Sequence, residues 1–171
     1  SKHYSCRMSK LSLIQQSSFI VEDEESMVEF GGKLAETLLV GAIITLNGDL
    51  GAGKTTLSRG MLHRLGHSGA VKSPTYTIVE PYQLDIGNVY HFDLYRVNDP
   101  QELDYIGFTD YLAEASLSLI EWPERGHGYL DDTDMGIEIE HLTSGRRVSV
   151  SAQTDRGGAM LAGLRKITGC Q

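Results

Sequence analysis

An α/β fold is predicted by three features of the chain. Residues 42–47 (AIITLN) are a short unbroken apolar run, rich in β-branched side chains and bounded by Gly41 and Gly48, as expected of a parallel strand buried on both faces. Glycine-rich sequence follows at once. Beyond it Leu57, Met61 and Leu65 recur every four residues until Gly66, the spacing of a helix of about three turns. A second buried-strand run, residues 117–120 (LSLI), ends on Glu121.

The other elements follow in chain order. Residues 18–21 read as a short strand, and Asp23 as a helix N-cap with Glu24 and Glu25 in the first turn, where the helix dipole favours negative charge. Met27, Phe30, Leu34 and Leu38 continue at helical spacing, so a helix is predicted over 23–40, with Gly41 placed to end it. Residues 76–84 and 89–95 are β-rich and flank a turn at 85–88, which suggests a hairpin. A short helix is predicted at 101–105, and Pro123 blocks direct continuation of the strand that ends at Glu121. Ile137 and Ile139 alternate with Glu138 and Glu140, and Val148 and Val150 with serines, so a second hairpin spans the turn at 143–145. Residues 159–167 close the chain as a helix.

A chain of 171 residues, 40% apolar and 22% charged, suits one compact domain. It opens on Ser1, so residues 1–17 are set aside as an N-terminal extension or expression remnant, leaving 18–171 as the domain. Fifteen Lys and Arg against 23 Asp and Glu give a formal charge of −8 with no long basic run, which argues against binding of duplex or tRNA by the whole surface. Cys6 and Cys170 lie near opposite ends without metal-ligand spacing and read as free thiols. With no apolar stretch approaching the roughly 20 residues of a membrane span, a soluble cytoplasmic protein is expected, without membrane partners.

The segment Gly48-Asp49-Leu50-Gly51-Ala52-Gly53-Lys54-Thr55 fits G-x-x-x-x-G-K-[ST] and has the required strand before it and helix after it. Glycines let the backbone curl so that successive N–H groups form an anion nest at the positive end of the helix. Phosphates are the natural occupants: Lys54 reaches the β- and γ-phosphates, Thr55 places its hydroxyl on Mg²⁺, and Thr56 contacts the α-phosphate. Such a site needs an acid near the metal at a neighbouring strand end, and both Glu121 and Asp93 qualify; each could instead pair with Arg96 or Arg125. Ser73-Pro74-Thr75 stands where a switch-like loop would present a hydroxyl, although spacing alone favours an ordinary loop. His63, His67, His91 and His141 lack ligand spacing and read as surface or strand residues. Trp122 packs by default, and beside a metal acid it is also a reporter of nucleotide binding.

GDLGAGKTT at 48–56, SPTYT at 73–77, HFDLYR at 91–96 and EWPE at 121–124, in that order and at this length, resemble the TsaE (YjeE) family of bacterial tRNA-modification ATPases. The resemblance covers roughly residues 18–165. It implies a three-layer fold of the P-loop NTPase type, with a mostly parallel central sheet and antiparallel edge strands. It also implies hydrolysis of ATP to ADP in formation of threonylcarbamoyladenosine at position 37 of certain tRNAs, through action on the TsaB–TsaD complex. By the matched motifs, Lys54 binds phosphate and takes part in catalysis, Thr55 and Glu121 hold Mg²⁺, and Asp93 positions water. Asp49, Leu50, Gly51, Ala52, Gly53, Thr56 and Trp122 complete the nucleotide site, and Ser26, in Glu24-Glu25-Ser26, stands where the family's Thr lies at the base end.

Three readings of the sequence compete. The preferred one is an ATPase, slow alone and stimulated by its partner complex. A small-molecule phosphotransferase would share the phosphate loop but needs an arginine-bearing lid, and Arg146-Arg147 is the only adjacent arginine pair. A nucleotide-gated binding module would use occupancy of the site and not hydrolysis.

Overall fold

The structure is a computed structural model describing residues 4–11 and 14–170. Apolar runs and alternating segments assemble into one mixed eight-stranded sheet. In chain order the elements are β1 (Ser5–Leu11), β2 (Ile14–Val21), α1 (Glu24–Glu36), β3 (Ala42–Gly48), α2 (Lys54–Arg64), β4 (Val79–Leu84), β5 (Gly87–Asp93), α3 (Glu102–Ile106), α4 (Phe108–Glu114), β6 (Leu117–Glu121), β7 (Met135–His141), β8 (Arg146–Ala152) and α5 (Asp155–Thr168). Strand order is β1-β2-β8-β7-β3-β6-β5-β4. The central four, β7-β3-β6-β5, are parallel, and the flanking pairs are antiparallel.

One apolar stripe from each of α1, α2 and α5 packs on one sheet face around Phe19, Phe30, Ile44, Leu57, Ile137 and Leu161. On the other face α3 and α4 cover β5 and β6 through Phe92, Leu103, Phe108 and Ile120. The predicted three-layer α/β arrangement with a parallel centre and antiparallel edges is what the chain adopts. β3 and β6 are buried on both faces along most of their length, which is why their sequences read as continuous apolar runs, whereas β7 buries Ile137 and Ile139 and exposes Glu138 and Glu140.

Several boundaries move, each for a tertiary reason. Helix α1 ends at Glu36, not at 40: Thr37 Oγ1 donates to the Leu34 carbonyl at 2.7 Å, and Gly41 N–H bonds Ser116 O at 2.8 Å, drawing the chain down into β3. Leu39 and Val40, inside the predicted helix span, are exposed. The first hairpin strand starts at Val79, since residues 74–78 form a turn closed by Ile78 N–H to Pro74 O at 2.7 Å. Helix α4 was not foreseen; Gly107, at φ 73°, separates it from α3. Residues 5–11 and 14–17, set aside in reading the sequence, are strands of the same sheet, and residues 1–3, 12 and 13 lie outside the described residues.

The cysteine reading is overturned. Cys6 and Cys170 are joined in a disulfide with Cα atoms 5.5 Å apart and 164 residues of separation. Cys6 lies opposite Phe19 in the β1–β2 pairing, and the end of α5 delivers Cys170 to the same place. Distance along the chain said nothing about it, because only the sheet brings the two ends together.

Helices α1 and α2 approach more closely than side chains normally permit. A Cβ on Gly60 would land on the Val28 carbonyl, and one on Gly31 on the Leu57 carbonyl, inside contact distance. Backbone meets backbone here, and neither helix can yield locally.

Two outcomes follow. Gly60→Ala lowers unfolding free energy by about 3 kcal/mol, since overpacking against backbone cannot relax, measured as the urea midpoint; an unchanged midpoint shows that α1 is free to shift. Cys6→Ser lowers it by about 2–4 kcal/mol under non-reducing conditions, because the link closes a very long loop; equal midpoints for variant and parent show that the bond contributes nothing.

Candidate functional site

The site is built where the parallel strands end. β3 runs into the glycine loop, which is followed directly by α2, with Gly53 (φ 120°) as its N-cap residue. A side chain at this φ would be strained, so glycine is the residue that lets the loop fold over the helix N-terminus. Such a terminus, with its free N–H groups and positive dipole end, suits an anion.

Lys54 is 6% exposed. Its Nζ donates to the Gly48 carbonyl and lies 3.9 Å from the centroid of the Trp122 ring. Removal from water pushes its pKa down, opposed chiefly by the negative charges of Glu121 and Asp93. An incoming polyanion would add to the second effect and favour the charged ammonium.

The two candidate acids stand side by side, Asp93 paired with Glu121 in the β5–β6 register. Both are buried, at 3% and 2% exposure, and both are extensively hydrogen-bonded. Asp93 Oδ1 accepts from the Tyr95 N–H at 2.9 Å; Oδ2 accepts from Ser73 Oγ and, at 3.0 Å, from Thr75 Oγ1. Glu121 Oε2 accepts from Ser73 Oγ at 3.3 Å and meets His91 Nε2 at 2.6 Å. Thr55 Oγ1 lies 3.5 Å from both Glu121 carboxylate oxygens. Oxygen ligands of one Mg²⁺, held at about 2.0–2.1 Å, stand at most about 4 Å apart, so this all-oxygen pair fits a small hard cation. Among the described residues no group of three His, Cys, Asp or Glu is arranged as a metal site of another kind.

Leu50, Gly51, Ala52, Gly53, Lys54, Thr55, Thr56, Ser73, Thr75, Asp93, Glu121 and Trp122 line one cavity of about 220 Å³. The structure therefore brings together most of the residues singled out in the sequence. Asp49 lies outside this cavity, exposed at the loop's outer side. Ser26 is buried in the first turn of α1, its N–H bonded to Asp23 at 2.8 Å. An adjoining cavity of about 390 Å³ is lined at that end by Asp23, Glu24 and Met27, and on its other side by Gly51, Gly53, Thr56 and Arg146. The arginines weighed as alternative partners of the acids are placed elsewhere: Arg96 stacks on Tyr76 at 4.1 Å, and Arg125 faces Tyr95.

Two participants were missed. His91, read as a strand or surface residue, is fully buried against Glu121. Arg146 reaches back from β8 to bond the Ala52 carbonyl of the glycine loop at 3.1 Å. The HFDLYR segment held the signal for the first, since His and Asp two apart share one face of a strand. For Arg146 only its pairing with Arg147 at a turn was visible.

By fold and site geometry this is an α/β protein of the glycine-loop class, with its glycine loop at the carboxyl ends of parallel strands. The family model described as "Threonylcarbamoyl adenosine biosynthesis protein TsaE" matches residues 21–148. A Haemophilus influenzae protein named tRNA threonylcarbamoyladenosine biosynthesis protein TsaE is 49% identical over 142 residues, covering 80% of this chain and 90% of its own. The protein of that name from Aquifex aeolicus is 37% identical over 130 residues, 75% of this chain and 90% of its own. The crystal structure of Bacillus subtilis YdiB superposes with a TM-score of 0.77 at 26% identity, over 92% of this chain and 99% of that one. The chain belongs to the TsaE family, which places it in tRNA threonylcarbamoyladenosine biosynthesis. No helix among the described residues is long and apolar enough to cross a membrane.

Asp93 ties the 73–78 loop to the sheet. Replacing both hydroxyls, Ser73→Ala with Thr75→Val, removes two bonds to a carboxylate, each of the class that contributes about 1.5–3 kcal/mol. The Ile78 amide should then exchange with deuterium at least ~10-fold faster; unchanged exchange shows that the loop is held by something other than Asp93.

Proposed function

We propose that this chain binds ATP with Mg²⁺ and hydrolyses it to ADP, and that it acts on the TsaB–TsaD complex in forming the threonylcarbamoyl group on adenosine 37 of tRNA. The observation that carries this reading is the convergence of Lys54, Thr55, Glu121 and Asp93 on one cavity beneath the glycine loop. Family membership supports the pathway.

The roles follow from chemistry. Loop N–H groups and Lys54 take the β- and γ-phosphates, and the cavity beside Thr56 has the volume for a nucleoside. Thr55 and Glu121 hold Mg²⁺, which when bound would neutralise charge on the phosphate oxygens. Asp93 orients the attacking water through its carboxylate. Its Oδ2 already serves Ser73 and Thr75, so water and loop compete for one oxygen. A loop that must move before water is positioned makes a slow enzyme alone and one open to stimulation by a partner. Trp122, over Lys54 and 5.0 Å from the Tyr95 ring, stands at the mouth of the site and senses its occupancy. The acidic charge favours protein partners over direct tRNA contact. The proposed compartment is the cytoplasm, where the Cys6–Cys170 bond would meet thiol reductants.

Phosphate release from ATP and Mg²⁺, alone and with TsaB–TsaD and tRNA, tests the reading. Stimulation by the complex supports it. Asp93→Asn keeps ATP affinity within about threefold and lowers hydrolysis by about 100-fold, the scale of losing a positioned base. Lost binding with retained turnover refutes the role of Asp93, and partner binding equally supported by ATP and a non-hydrolysable analogue, without hydrolysis, replaces the enzyme with a nucleotide-gated module.

A further inference from the structure

We propose that His91 is a positioning residue that fixes the orientation of the Glu121 carboxylate and thereby sets the affinity of the site for Mg²⁺. The inference rests on the Mg²⁺-nucleotide reading above and concerns a residue that does not itself touch the phosphates or the metal.

His91 stands on β5 opposite Leu119 of β6 and Glu80 of β4, on the sheet face that carries Asp93. Its side chain is fully buried and reaches along the sheet to Glu121, with Nε2 2.6 Å from Oε2. Nδ1 is buried without a hydrogen-bond partner. An ionised carboxylate only accepts, so Nε2 bears a hydrogen and donates the hydrogen bond to Glu121 Oε2. The unpaired nitrogen faces the interior, where an unsatisfied polar atom is destabilising. A Leu or Val at this strand position would avoid that cost, so packing alone does not account for an imidazole here.

What the imidazole supplies is direction. With Oε2 held from behind by His91 and from the side by Ser73 at 3.3 Å, the carboxylate cannot turn about its last bond. It presents its edge to Thr55, whose hydroxyl is equidistant from both oxygens at 3.5 Å. Without His91 the carboxylate is free to turn toward the ammonium of Lys54, on which its charge already acts. Turning so would spoil the oxygen pair for a cation. Outer partners that orient a metal ligand commonly change metal affinity by about 10–100-fold when removed.

The test is calorimetric binding of ATP to the full chain, in EDTA and across a Mg²⁺ titration, for the parent and for His91→Leu, His91→Asn and His91→Gln. The Leu and Asn side chains cannot donate to Oε2; the Gln amide places its Nε2 near the position of the imidazole Nε2. Expected is ATP binding in EDTA within about threefold of the parent for all variants. The Mg²⁺ concentration for half-maximal effect should rise about 10–100-fold in the Leu and Asn variants and return to within about threefold in the Gln variant. If His91→Leu fails to fold, His91→Asn carries the comparison. Parent-like Mg²⁺ dependence in the Asn or Leu variant overturns the inference alone. So does a Gln variant as impaired as the Asn variant, which would make His91 a matter of shape. Absence of any Mg²⁺ effect on ATP binding by the parent overturns the cofactor reading and the inference with it.

Discussion

Parallel pairing of β3 with β6, and of β6 with β5, brings three strand ends level at one edge of the sheet: Leu46 stands opposite Glu121, and Glu121 opposite Asp93. From that register everything at the site is measured. The glycine loop starts two residues past Leu46, so Lys54 and Thr55 at the start of α2 face the two acids. A shift of one residue in either pairing would turn Glu121 or Asp93 to the opposite sheet face, toward α3 and α4. The packing that fixes the register is the continuous burial of β6, every residue of which is buried.

Two buried carboxylates side by side repel each other and lose hydration, and the fold offsets this with donors instead of a dedicated ion pair of the usual kind. Hydroxyls come from Ser73, Thr75 and Thr55, an N–H from Tyr95, an imidazole from His91, and the ammonium of Lys54 lies within reach of both charges. Several of these donors belong to a loop that is itself held awkwardly. Ile78, a β-branched residue, sits at φ 69°, a conformation that costs on the order of 1–3 kcal/mol, and it is kept there by bonds to Pro74 and Asp93. The same hydrogen bonds that quiet the charges also restrain the loop. Any ligand that competes for the carboxylates releases both.

Away from the site, the sheet is extended on one side by a strand outside residues 21–148, the region that the family model matches. β1 pairs along β2 and is fixed by Cys6 to the end of α5, so β2 is not an exposed edge. β1 is then the outer strand on that side, and the disulfide anchors it to the end of α5.

By itself the sequence determined whatever rests on local pattern: strand β3 from its apolar run, α2 from its period of four, the glycine loop from its motif, and the Asp23 cap, which does accept the Ser26 N–H. Those features depend on φ/ψ preference, burial period and neighbouring hydrogen bonds, all written within a few residues. Tertiary structure alone decided where α1 stops, because the pull of Gly41 toward Ser116 acts across 75 residues of chain. It alone decided that Cys6 meets Cys170, that His91 turns to Glu121, and that Arg146 reaches back to the glycine loop. Each of those contacts joins segments far apart in sequence, and their partners become neighbours only once strand order and register are set.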